Sequence, residues 1–476
     1  MAINTDAPAT DRDLVGIDRR TLLHPLLSDD VAERVVIASG EGCRLVDADG
    51  REYLDATGGL WLAQVGHGRR ELAEVAAAQM SRLEYFTSFE SFTNEPAIRL
   101  AERLVSLAPE SVRRVYFTSG GSEGNDAAIR MARLYFNRRG QPDRTWILSR
   151  RDAYHGISYG GGSATGIELF RTGCGPLLPD FDHLTPAWPY RSELFGGQDP
   201  TDFLIDELER AIERIGAARI AAFIGEPVMG VAGMLVPPAG YWSRVQETLR
   251  RHGILLILDE VVTAYGRIGE WFASSRYGLE PDIVVTAKGI SSGYVPLGAD
   301  LISEQIAETL ASDGGFPHGH TYNGHPTACA VGLANLEIIE REHLLEAAGD
   351  IGAYLLEGLQ SLYDLEVVGE VRGVGMMFGI ELVADRDTRE PLPDPTIPLP
   401  DVVRNDTGVI VRKCGHSLVL SPPLVLTRPE ADRIVAALRE VLARVRPTGE
   451  VLAAGRLTAA PVLARAGGFV SERGQP

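Results

Sequence analysis

The chain has 476 residues, 45% of them hydrophobic, and its 46 basic and 65 acidic side chains leave a formal charge of −19. A length of this order suits two or three domains with a large buried core, and the acidic excess repels nucleic-acid backbones and anionic lipid, so neither is expected as a partner. No apolar run approaches the roughly 18 residues needed to span a bilayer, and the first twenty residues lack a basic stretch followed by an apolar core, so a cytosolic location is expected.

Residues 1–35 are polar and of mixed charge and read as an arm. Alternating runs at 43–57, broken by Asp49-Gly50, predict a hairpin. Helical periodicity follows at 70–83 and 95–108. From about 112 to 330, apolar runs at 115–118, 145–148, 220–224, 254–258 and 282–286 alternate with helical segments such as 124–138, 202–215 and 240–252. Strands apolar on both faces and separated by helices predict an α/β fold with a parallel or mostly parallel central sheet flanked by helices. One long helix is expected over 327–347, crossing to a smaller domain. That domain holds a Pro/Asp-rich loop at 385–402, a strand at 409–420 and a closing helix at 429–445. The expected division is an arm with part of the smaller domain at 1–70, a large domain at 71–326, and the crossing helix with the C-terminal part at 327–447. A tail at 448–476 is either a short helix or partly disordered. The four cysteines, Cys43, Cys174, Cys329 and Cys414, form no C-x-x-C pair, which argues against a disulfide framework or a structural zinc.

Lysine occurs only at Lys288 and Lys413, so 44 of the 46 basic residues are arginine. Guanidinium cannot act as a neutral amine nucleophile, which makes a retained lysine a candidate for that chemistry. Lys413 lacks a strand-end setting and reads as solvated. Lys288 follows the run IVVTA, just as Glu226 follows IAAFIG and Asp259-Glu260 ends ILLIL. In an open α/β sheet such ends face one crevice. The turn Thr118 to Asp126, with Gly120, Gly121 and Ser122, precedes a helical run and offers backbone amides and a helix N-terminus to an anion. It is neither a P-loop nor a dinucleotide fingerprint. Tyr154 lies beyond another strand end, placed to stack on a flat ligand. Together these parts suit pyridoxal phosphate, which needs a lysine amine, an acid facing the pyridine nitrogen, a phosphate cradle and a ring stack.

With these motifs the chain resembles, over residues 30–445, the class III aminotransferases of pyridoxal-phosphate fold type I. SGGSEGND, AYHG, EPV, LDEVVTAYGR, TAKGISSGYVPLGA and HTYNGHP occur in the family's order, with 29 residues from Asp259 to Lys288. The resemblance implies that Lys288 is the Schiff-base lysine and proton shuttle and Asp259 the pyridinium partner. Val261 and Tyr154 would cover the two ring faces, and Gly121 and Ser122 would donate to the phosphate. Glu226 would share the polar shell near Asp259. Thr321 would reach the phosphate of a neighbouring subunit, implying a homodimer with shared sites. Departures from the family pattern are Gly120 for Ser or Thr, Gly124 for Ala, His320 for Phe and Ala264 for Gly.

Leu60-Trp61 followed by Gly66-His67-Gly68 resembles the ω-amine–pyruvate subgroup, in which this tryptophan walls the substrate pocket. The segment Val411 to His416 resembles the same subgroup's stretch bearing a mobile arginine, which makes Arg412 the partner of an acceptor carboxylate. Phe86, Phe89 and Phe92 are further candidates for the pocket. The expected activity is ping-pong transfer of an amino group, by way of pyridoxamine phosphate, from an amine or amino acid to an α-keto acid, pyruvate first. An aminomutase or decarboxylating transaminase would keep every cofactor residue, and a non-catalytic fold relative remains a further alternative.

Overall fold

The computed structural model describes residues 13–27 and 33–453. Of the expected arm, residues 1–12 and 28–32 lie outside them; so does the expected tail from 454 onward. The alternating runs near the N-terminus form an antiparallel meander of β1 (Ile37–Glu41), β2 (Arg44–Asp47) and β3 (Glu52–Asp55). Its expected turn passes through Gly50 at φ +83°, a left-handed conformation that glycine adopts without a Cβ penalty.

The apolar runs become a seven-stranded sheet of β4 (Val112–Thr118), β5 (Trp146–Arg150), β6 (Phe181–Leu184), β7 (Ile220–Gly225), β8 (Leu255–Asp259), β9 (Ile283–Thr286) and β10 (Gly298–Ser303). Their spatial order is β4-β10-β9-β8-β7-β5-β6. Neighbours from β6 through β9 pair in parallel, and only β10 runs against both β4 and β9. The sheet is therefore mixed but mostly parallel. Sequence periodicity misses β6 and β10, because Asp182 and Asp300 interrupt their apolar pattern.

Side-chain alternation sends Ile224, Ile257 and Val285 to one face, where they pack on Ala127, Ala128 and Met131 of the helix Gly121–Arg138. Phe223, Leu256 and Leu258 go to the other, against Leu208, Trp242 and Val245 of the helices Pro200–Ile215 and Tyr241–His252. Each strand is covered on both sides, and that burial is why the runs read as continuously apolar.

The crossing helix is shorter than expected. It runs Pro326–Arg341 and a second helix, Leu344–Gln360, follows, with His343 at φ +53° between them. The joint is pinned by a bidentate Arg69–Glu342 pair, both contacts 2.7 Å. C-terminal strands are β11 (Val368–Val374), β12 (Met377–Asp385), β13 (Glu390–Pro391), β14 (Val409–Ile410), β15 (Arg412–Cys414) and β16 (Ser417–Leu420). The single strand expected over 409–420 is thus three, because Gly415 at φ +56° folds β15 back on β16. β14 pairs in parallel with β3, so the two halves of the chain share one small sheet.

One buried group in the large sheet stands out. Asp300 on β10 has no exposed surface and neither carboxyl oxygen has a hydrogen-bond partner. Oδ1 lies against Gly124, where an added Cβ would sit 2.7 Å from it. Burial, aided by the charge of Asp259, pushes this carboxyl well above the usual range. An unfolded chain would release the proton near its ordinary value of about 3.9, so Asp300 costs stability increasingly as pH rises above that. The neutral Asp300→Asn variant is expected to remove this dependence. Its urea midpoint should exceed the wild-type value by a margin that widens from mildly acidic to mildly alkaline pH; a constant margin would mean that Asp300 is ionised in the native protein.

Candidate active site

The strands β7, β8 and β9 lie side by side and parallel, so their C-terminal ends open on the same edge of the sheet. Glu226 follows β7, Asp259 ends β8, and Lys288 comes two residues after β9. All three line one cavity of about 410 Å³, together with Gly120, Gly121, Ser122, Tyr154, His155 and Val261.

Asp259 is held by three donors. Oδ2 accepts from Asn125 Nδ2 at 2.7 Å and from His155 Nδ1 at 2.8 Å, and Oδ1 accepts from the Val261 amide at 3.1 Å. Charge-assisted bonds of this kind contribute about 1.5–3 kcal/mol each, enough together to offset much of the cost of burying a carboxylate. Asn125 also donates to the His155 carbonyl at 3.0 Å, so one amide braces both the acid and its histidine. Neither Asn125 nor His155 stands out as a site residue from the sequence. Their signal is membership of the motifs SGGSEGND and AYHG, with Asn125 on the first turns of the helix after the glycine turn and His155 beside Tyr154.

Lys288 sits at φ +49°, an unfavourable left-handed setting for a side-chain-bearing residue. Burial lowers the proton affinity of its amine; Asp259 and Glu226 oppose that shift and Arg412 adds to it. The next residue must be small, since a Cβ on Gly289 would lie 2.0 Å from Gln64 Nε2. Gln64 in turn accepts from the buried Arg267 at 3.1 Å. Glu226 accepts the backbone amides of Tyr154 and Gly230 at 3.1 and 2.8 Å. Burial nevertheless pushes its carboxyl up to about 7, with Asp259 reinforcing and His155 opposing.

The glycine turn places the start of the helix Gly121–Arg138 at the cavity, three residues earlier than the periodicity predicts. The amides of its first turn have no carbonyl four residues back to bond, and the helix dipole favours an anion there. A Cβ on Gly120 would meet nothing within 4 Å, whereas one on Gly121 would press on Val261 at 2.9 Å. The turn is therefore open toward the cavity and closed against its wall. Glu123 caps the Ser119 amide at 2.8 Å, and Gly120, Gly121 and Ser122 line the cavity beside it.

Other sequence candidates are placed as follows. Trp61, at φ +63° and 2% exposed, is turned in behind the cavity with its ring 5.6 Å from Lys288 Nζ, and its neighbours Leu60 and Leu62 line the cavity itself. Arg412, partly buried on β15, pairs with no carboxylate among the described residues, and its charge lowers the proton affinity of both Lys288 and Tyr154. Thr321 is exposed, its carbonyl accepting from Tyr85 at 2.7 Å, and does not line this chain's cavity. Phe86, Phe89 and Phe92 are likewise outside it and largely exposed.

An amine, a braced carboxylate, an anion-binding turn and an aromatic ring around one cavity are the groups that a pyridoxal-phosphate enzyme requires, and those present fit that cofactor. The family model for aminotransferase class-III matches residues 28–442. A thermostable (S)-enantioselective omega-transaminase from Thermomicrobium roseum is 47% identical with a TM-score of 0.86, over 89% of this chain and 96% of that one. An amine transaminase from an uncultivated Pseudomonas species, solved in its PLP-bound form, is 43% identical with a TM-score of 0.84, over 88% and 97%. Putrescine–pyruvate aminotransferase of Pseudomonas aeruginosa is 38% identical over 86% of this chain and 90% of its own. The chain belongs to the class III aminotransferases, pyridoxal-phosphate-dependent transferases of nitrogenous groups, and it is similar to the omega-transaminases among them. Among the described residues, no helix is long and apolar enough to cross a membrane.

Because Glu226 titrates near 7, it changes charge across neutral pH, and above that point a second carboxylate near Lys288 raises the proton affinity of the amine. Glu226→Gln is expected to delete one ionisation close to neutrality from the pH dependence of the holoenzyme's absorption spectrum. An unaltered profile would show that the carboxyl does not titrate there.

Proposed function

We propose that the protein, working in the cytosol, takes an amino group from an amine or amino-acid donor and gives it to an α-keto acid, pyruvate before 2-oxoglutarate, in two half-reactions at one site. The observation that carries this reading is the meeting of Lys288, Asp259 and the Gly121–Ser122 turn in one cavity. When bound, pyridoxal phosphate supplies an aldehyde that accepts the amine and a ring that withdraws electrons from the substrate's Cα.

The chain's own residues have separate tasks. The Gly121 and Ser122 amides, with Gly120 leaving the turn open, hold the phosphate. Asp259, fixed by Asn125 and His155, would be the acid that pairs with the pyridine nitrogen and stabilises its protonated form. Val261 and Tyr154 confine the ring, and Glu226 completes the polar shell beside Asp259. Lys288 would hold the cofactor through its amine and, when free of it, would serve as a buried base of lowered proton affinity for the proton at the substrate's Cα. Leu60 and Leu62, backed by Trp61, form the apolar wall against the donor's side chain. Arg412, a half-buried cation without a carboxylate partner among the described residues, is available to pair with the carboxylate of a keto acid.

We further propose that residues 71–326 form the large domain, with both flanks of the chain contributing to the smaller one, and that the protein is a homodimer in which Thr321 reaches the neighbour's phosphate. Support comes from the exposed apolar group of Phe86, Phe89, Phe92, Ile98 and Tyr322 close to Thr321, a patch that a monomer would leave in water.

Lys288→Ala is expected to abolish turnover and to leave no cofactor attached to the denatured protein after borohydride reduction; full activity in that variant would end the proposal. Arg412→Ala should lower kcat/KM for the keto acid by about 10-fold or more while sparing an uncharged amine, as followed by cofactor absorbance in each half-reaction with pyruvate and with 2-oxoglutarate. Equal losses on the two sides would remove the carboxylate-binding role from Arg412.

A further inference from the structure

Asp55, the last residue of β3, is fully buried and outside the machinery described so far. Its carboxylate accepts four hydrogen bonds. Oδ1 takes the Thr57 amide at 2.9 Å and the Thr57 hydroxyl at 2.8 Å; Oδ2 takes the Gly59 amide at 2.7 Å and His67 Nε2 at 2.9 Å. Every donor belongs to the segment 57–67, whose middle carries Leu60 and Leu62 to the cavity wall and sets Trp61 beside Lys288.

That segment cannot keep its shape by local preference. Gly58, Gly59 and Trp61 have φ of +55°, +64° and +63°, the last on a bulky side chain that disfavours the region. A Cβ on Gly58 would lie 2.7 Å from the Ser421 carbonyl, so the turn is wedged against the chain leaving β16. The backbone of Asp55 pairs with the strand that leads to Arg412. Ile410 of β14 is its parallel partner, the Ala56 amide donates to the Ile410 carbonyl at 3.1 Å, and Arg412 opens β15 two residues on. Burial alone would raise the Asp55 carboxyl, but the bonds from His67, Thr57 and Gly59 outweigh it and hold it below the ordinary carboxylate range.

We propose that Asp55 is a positioning residue for substrate recognition: its buried carboxylate folds residues 57–62 into the apolar wall and keeps that wall in register with the strand bearing Arg412. One anion thereby sets the spacing between the end of the site that takes an uncharged side chain and the end that takes a carboxylate. Asp55 touches neither cofactor nor substrate. Its effect falls on binding, through residues that do.

The inference rests on the transaminase reading above, and its test separates the two. Asp55→Asn preserves shape but presents an amide where two donors, the Gly59 amide and His67, need an acceptor. With holoenzyme, an uncharged amine and pyruvate, kcat/KM for both substrates is expected to fall by about 10- to 100-fold, with the loss carried by KM, while the holoenzyme's absorption spectrum and retention of pyridoxal phosphate stay as in the wild type. His67→Gln, which disturbs a single bond, should show the same KM-carried pattern at smaller size and serves if Asp55→Asn does not fold. Unchanged KM values in an active wild-type background, or a loss confined to kcat and cofactor retention, would overturn the positioning role. A wild-type protein that moves no amino group between any donor and acceptor would instead sink the transaminase reading.

Discussion

The site depends on the bracing of Asp259. Burying a carboxylate where water scarcely reaches is costly unless its lone pairs are filled. Here Asn125, His155 and the Val261 amide fill them, each from a different part of the chain. The braced anion then does two things at once. It lines the cavity, and it partly offsets the desolvation that lowers the proton affinity of Lys288. Three adjacent parallel strands make this possible by ending together at one edge of the sheet.

Three residues close to the same cavity carry backbone strain. Trp61, Lys288 and Ser292 all have positive φ without being glycine, and Leu60, Leu62 and Ser291 line the space between them. Such conformations persist only where surrounding contacts over-determine them. Gly289 leaves room for Gln64, Gln64 meets Arg267, Asp55 grips the 57–67 segment and Ser292 accepts the Val65 amide, so each of the three is backed by a buried polar contact or a wedged glycine. Such bracing suits a site whose reacting groups must be held to within a fraction of an ångström.

Much of the fold was legible because its signals are local. Periodicity finds the helices at Arg70–Arg82, Glu95–Leu107 and Tyr241–His252 within a residue or two, and the runs that become β7, β8 and β9 are plain because both of their faces are covered. β6 and β10 escape it because Asp182 and Asp300 break their runs, and the crossing helix escapes it because nothing in an apolar, helix-favouring sequence announces that His343 adopts a left-handed turn. For the site, the scarcity of lysine singles out Lys288. No comparable scarcity marks Asn125, His155 or Asp55.

What the sequence determined by itself was the chemical inventory and its order: a solitary strand-end amine, two strand-end acids, a glycine turn before a helix, and hence the cofactor they suit. Tertiary structure alone decided which groups meet. Asn125 and His155 reach Asp259 across 134 and 104 residues, β14 finds β3 from the far side of the chain, and Trp61 turns behind the cavity while Leu60 and Leu62 line it. Residue type and spacing are written along the chain, whereas hydrogen-bond partners are chosen by packing, where a buried donor or acceptor must be satisfied by whatever the fold brings within about 3 Å.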